Sequence, residues 1–216
     1  MKINKKVLLV ALLMASPNAA FAGPSYDYLE IGLASGGYDW LDLCTNSLSL
    51  YKVSYYASGY QLQGAKSIGD KFFVDGKYNS LSMDVANAGC TGTVSLDATD
   101  YGINFGWHGE NLYAKLGYES YDYFCSGTTI CGPTDTGTGY ALDAGYRGSL
   151  SDAIEYSAHL GYADINIATV IRYGFGFGMM LGDNWGVSFS YDIANYDFDF
   201  FTEDDNLITV NARWTW

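Results

Sequence analysis

Asp143 and His159 are the side chains of this chain best suited to moving a proton, a carboxylate and an imidazole on two stretches joined by a tight turn at residues 149 to 152. If that turn pairs 148 with 154, antiparallel register sets Asp143 opposite His159 and Arg147 opposite Glu155. Arg172, on the following stretch, then neighbours His159. One reading of this group is a His–Asp catalytic dyad. The other, preferred here, is a set of ion pairs filling an interior, because structural charge networks perturb side chains as catalytic ones do. Nucleophilic chemistry has few seats. The chain has two histidines, His108 and His159, and Ser157, two residues from His159, would stand about 6 to 7 Å away on a strand, beyond a direct hydrogen bond.

These residues need strands to hold them. Apolar residues recur at every second position: Tyr101, Ile103, Phe105 and Trp107 alternate with Gly102, Asn104 and Gly106, and Tyr173, Phe175, Phe177 and Met179 with Gly174, Gly176 and Gly178. The pattern predicts ten strands, at about 25 to 36, 56 to 67, 72 to 82, 97 to 108, 112 to 122, 138 to 148, 154 to 164, 168 to 181, 185 to 196 and 206 to 216. Tight turns near residues 67 to 71, 108 to 111, 149 to 152 and 182 to 184 alternate with mostly longer polar connections. On the less apolar face fall Glu30, Asp75, Lys77, Lys115, Glu119, Asp143, Arg147, Glu155, His159, Arg172, Asp192 and Arg213. The opposite face carries bulky aromatics on nearly every strand. A soluble sandwich or lipocalin-like barrel would bury that face and expose the charges. Aromatics facing lipid around a narrow wet interior suit a transmembrane antiparallel up-and-down barrel, with tight turns toward the periplasm and longer loops outside.

The ends agree with export. Residues 1 to 22 combine Lys2, Lys5 and Lys6, an apolar run from Val7 to Ala15 and Ala20-Phe21-Ala22, the pattern of a cleaved signal peptide, leaving 23 to 216 as the barrel. Removing three lysines leaves 8 Lys and Arg against 24 Asp and Glu, a balance that repels nucleic acid. The last strand alternates and ends on Trp214 and Trp216; with Trp107 and Trp185 these rings suit a membrane interface.

On the signal segment, the repeated strand–Gly-turn–strand units and the C-terminal aromatic strand, the chain resembles the small OmpA-like and OmpX-like outer-membrane barrels, among porin-family proteins, over essentially its whole mature length. The resemblance implies residence in the outer membrane of a Gram-negative cell, contact with its lipid and lipopolysaccharide, and a C-terminal strand read by the barrel-insertion machinery. Those proteins most often have eight strands and end on Phe, whereas this chain reads as ten, with eight the alternative, and ends on Trp216. An Asp143–His159 pair resembles that of ten-stranded outer-membrane proteases, which also need an acidic pair across the mouth and longer strands. The reading taken is a non-enzymatic structural, interaction or narrow-pore protein without cofactor or metal centre; the alternative is an outer-membrane hydrolase, protease or lipid A-modifying, using Asp143 and His159.

Cys44, Cys90, Cys125 and Cys131 fall in the outer connections of an exported chain, which predicts disulfides, Cys125 with Cys131 and Cys44 with Cys90 by proximity. Their spacing is poor for zinc. Residues Asp197 to Asp205 place five carboxylates and three Phe in one outer loop. A divalent cation is one reading; a solvated acidic loop, whose Phe residues belong to strand ends, is preferred.

Overall fold

The computed structural model describes residues 26–42, 51–86, 93–127, 135–198 and 201–216. Ten antiparallel strands close on themselves: β1 (Tyr28–Asp42), β2 (Tyr51–Ile68), β3 (Phe72–Ala86), β4 (Thr93–His108), β5 (Leu112–Gly127), β6 (Asp135–Ser151), β7 (Ile154–Ile165), β8 (Ala168–Met180), β9 (Trp185–Phe198) and β10 (Phe201–Thr215). Closure is made by β1 and β10, with Tyr28 opposite Thr215 and Glu30 opposite Arg213. A closed sheet pairs every strand edge, the condition for strands to cross hydrocarbon.

All ten sequence-derived strands are present, and several run further at the outer end. β1 extends to Asp42 and β2 begins at Tyr51, so their hairpin stands above the rung Ser58–Ser82 where β2 meets β3. Gly69, with φ of 66°, makes the periplasmic turn between β2 and β3, a backbone conformation that glycine adopts without a Cβ clash. The fourth outer connection is only Asn166 and Ile167.

Two expectations change. Residues 197 to 205 do not form a loop: β9 continues to Phe198 and β10 starts at Phe201, with Asp197 opposite Thr202. The turn after β6 is also displaced. β6 runs on to Ser151, which pairs with Ile154 across a turn of Asp152 and Ala153, and Leu150 bulges out behind it, so Ser149, not Arg147, lies opposite Glu155, and Gly145, not Asp143, lies opposite His159. The signal segment lies outside the described residues, as do Cys44, Cys90, Cys131 and the side chain of Cys125.

The outer wall is apolar. Ile31, Leu33, Ile103, Leu116, Leu142, Leu160 and Val210 are exposed, which water would penalise and acyl chains accept. Trp107, Trp185, Trp214 and Trp216 are exposed at the periplasmic end, with the rings of Trp185 and Trp214 4.8 Å apart. Tyr60, Tyr101, Tyr118, Tyr140 and Tyr162 form a second aromatic level toward the outside, with cross-strand contacts such as Tyr118–Tyr140 at 5.9 Å. Two aromatic girdles bracket the lipid-facing band. Tyrosines at regular outward positions are visible in the sequence, but the tryptophans alone were expected to mark the interface.

Candidate functional site

Inward side chains divide the lumen into three levels. At the periplasmic mouth Tyr26, just ahead of β1, stacks on Phe73 and His108 at 4.4 Å each, with Tyr113 at its edge. The Arg147 guanidinium lies 4.6 Å from the Tyr26 ring centre and that of Arg213 4.8 Å from Tyr28. Arg213 donates to Glu30 at 2.5 Å and to Glu155 Oε2 at 2.7 Å; Arg147 donates to the same Glu155 oxygen at 3.2 Å. Arg147 and Glu155 therefore meet diagonally, although the displaced register denies them a shared rung.

The middle level is a charged belt. Arg172 donates from Nε and Nη2 to the two oxygens of Asp143, at 2.9 and 2.7 Å, and from Nη1 to Glu119 at 2.6 Å. Tyr121 Oη also donates to Glu119. Lys115 and Asn104 hold the two oxygens of Asp75, at 3.0 and 2.5 Å. Lys77 lies 3.7 Å from Asp100, whose other oxygen accepts from Asn79 at 2.9 Å. His159 Nε2 is 3.3 Å from Asp192 Oδ1, and Ser190 donates to Asp192 Oδ2 at 2.8 Å.

Glycine makes two of these pairings across a strand. Asp143, Gly161 and Arg172 occupy one rung on β6, β7 and β8, and His159, Gly174 and Asp192 one rung on β7, β8 and β9. A Cβ on Gly161 would meet Asp143 Oδ1, and one on Gly174 would meet Asp192 Oδ1. The charged chains lie over bare backbone to reach a partner two strands away.

This arrangement breaks the alternative Asp143–His159 dyad. Asp143 is occupied on both oxygens by Arg172, and His159 faces Asp192. The hydroxyl beside that pair is on the other member: Ser190 donates to the Asp192 carboxylate and not to the His159 imidazole, so no serine–histidine pair forms there. Among the described residues no group of three or more His, Cys, Asp or Glu side chains is gathered to hold a metal ion. In the former acidic loop, Asp197 and Asp204 fall on the outward face and Glu203 and Asp205 on the inward one, so the described carboxylates diverge.

Above the belt the interior turns apolar. Tyr121, Ala141, Ala163, Ile165, Ala168, Val170 and Tyr196 form one buried cluster, and Ala34, Ala57, Leu81 and Met83 another. A void of about 30 Å³ remains where Leu81 and Ala98 meet Tyr121, Tyr123 and Tyr196, while the chamber below measures about 260 Å³. The aromatic floor, the apolar ceiling and the belt members Asn79 and Asp100 were missed from sequence. Their signal is inward parity, which Asp100 shares with Asn104 and which Ala, Val, Leu and Tyr follow as well as charged residues do.

A family model for the outer membrane protein beta-barrel domain matches residues 7–214. The chain belongs to that family. Such a barrel resides in the bacterial outer membrane. No curated protein sequence matches it. Among solved structures it is similar in fold to Ail, the attachment invasion locus protein of Yersinia pestis, crystallised with the heparin analogue sucrose octasulfate, at 14% identity over 87% of this chain and 97% of that one, TM-score 0.44. OprG of Pseudomonas aeruginosa is similar at 12% identity over 91% and 99%, TM-score 0.43. Neisserial surface protein A is similar at 11% identity over 90% and 100%, TM-score 0.42.

Proposed function

We propose that this outer-membrane barrel is a plugged, non-enzymatic structural and interaction protein whose outer hairpins are the part offered to partners. The observation that carries the reading is the apolar ceiling, where Val170 and Ala163 are 0% exposed at inward positions of a closed barrel. Inward side chains that touch no water belong to a packed interior. A wide aqueous channel would instead line that level with solvated polar groups.

The rest of the reading follows from the chain's ends and cysteines. A signal peptide ending at Ala22 directs export, the strand ending on Trp216 is presented to the insertion machinery, lipopolysaccharide contacts the tyrosine girdle, and Cys44–Cys90 and Cys125–Cys131 disulfides brace the outer hairpins. Planar-bilayer recording on the refolded protein tests the central claim. Silent membranes are expected; steady, ohmic single-channel steps at neutral pH would refute a plugged barrel. A purified sample that hydrolyses peptides or lipid A, and loses this on His159→Asn, would restore the hydrolase alternative.

A further inference from the structure

The two ends of the lumen are narrowed by different means. The ceiling is built from side chains fixed on the strands themselves, so opening it means deforming the sheet. The floor depends on Tyr26, which lies outside the strands and is only 7% exposed. Its position is set by the next residue: the Asp27 carboxylate binds Lys66 Nζ at 2.8 Å and accepts from the Ser67 amide at 3.0 Å. Tyr26 borders the chamber directly, as do Phe73, Tyr113 and Arg147.

We infer that the lumen is a chamber served from the periplasm, which small hydrophilic solutes enter past Tyr26 and cannot leave toward the outside. The inference rests on the plugged-barrel reading for its closed outer end. Size limits the guest: about 260 Å³ is the space of roughly nine waters at about 30 Å³ each. Charge selects among guests. Eight carboxylates line the chamber against five Lys and Arg side chains and His159, so the potential inside favours small cations over anions. Most basic groups are already held by carboxylates, whereas Asp192 keeps 29% of its side chain open.

The stopper is released without deforming the sheet. Tyr26 is held by ring contacts with Phe73, His108 and Tyr113 and one cation–π contact, together worth at least about a ten-fold bias toward the closed arrangement. The side-chain bonds of Asp27 supply the latch.

Thiol accessibility tests this without requiring conduction. A Ser157→Cys barrel carries a reporter in the chamber wall, and the unsubstituted protein supplies the background from native cysteines. Folded protein, verified by heat-modifiable gel migration, is treated with a small cationic methanethiosulfonate, and the rate is followed by mass spectrometry. Slow labelling is expected with Tyr26 or Tyr26→Phe in place. Labelling should be at least about ten-fold faster with Tyr26→Ala and intermediate with Asp27→Asn, which takes the charge from the latch and keeps the ring. Leu81→Ala, which thins only the ceiling, should leave the rate unchanged, and the anionic reagent should lag the cationic one throughout. Equal rates with Tyr26, Tyr26→Ala and Asp27→Asn would overturn the floor. Acceleration by Leu81→Ala would instead overturn the closed outer end and the plugged-barrel reading with it.

Discussion

His159 and Asp192 meet at 3.3 Å across an intervening strand, over the backbone of Gly174. Asp143 reaches Arg172 in the same way over Gly161. Side-chain contacts in this belt therefore join strands that are not hydrogen-bonded to each other. That brace across the wall is distinct from the ladder that closes it.

Replacing the shared partner of two buried carboxylates should be costly. Arg172→Met leaves Asp143 and Glu119 without their guanidinium, and an uncompensated buried charge costs about 3 to 5 kcal/mol. Urea unfolding followed by gel migration should show a clearly lower midpoint. Arg172→Lys should recover only part of it, since an ammonium cannot reproduce the two-pronged contact with Asp143.

Filling the bridge should break it while leaving the charges in the sequence. Gly161→Ala puts a methyl where Asp143 Oδ1 lies, with the Arg172 Nε 2.7 Å away, and overpacking of this kind costs about 1 to 3 kcal/mol. Gly182→Ala, where a Cβ would meet nothing within 4 Å, should unfold like the parent. A loss of stability shared by both would indicate a general glycine effect unrelated to the bridge.

At the periplasmic rim, the hydrogen bond from Lys66 holds the Asp27 carboxyl below the usual carboxylate range, with the Ser67 amide adding to it. A lowered folded-state pKa means that the stabilisation is complete above the ordinary carboxylate range and fades as pH falls through the lowered value. Parent and Asp27→Asn should thus differ in unfolding midpoint at pH 7 and converge in strong acid. Curves that stay parallel to the lowest pH would show that Asp27 does not titrate with folding.

Oxidatively refolded protein should present no thiol to iodoacetamide until it is reduced. Peptide mapping should then join Cys125 to Cys131 and Cys44 to Cys90, the short bridge being worth roughly 2 kcal/mol by chain entropy. Two or more alkylated cysteines before reduction would rule out that pairing.

Strand number and the face of each side chain were legible in the linear pattern, because side chains alternate with a period of two and tight turns separate the repeats. Glu30, Asp143, His159 and Arg213 could be assigned to the interior on parity alone. Their partners could not. The turn closes at Asp152 and Ala153, with Ser151 opposite Ile154, and the bulge at Leu150 takes back one residue, so the β6–β7 register moves by two, a shift that preserves every face and exchanges every neighbour. Asp143 accordingly stays inside and loses His159. Pairing over Gly161 and Gly174 depends on three strands at once, and the stacking of Tyr26 on Phe73 and His108 depends on barrel closure, which brings the start of β1 beside turns far along the chain. Periodicity is a local property and determines facing; contact between distant strands is set by register and closure, which only the folded sheet decides.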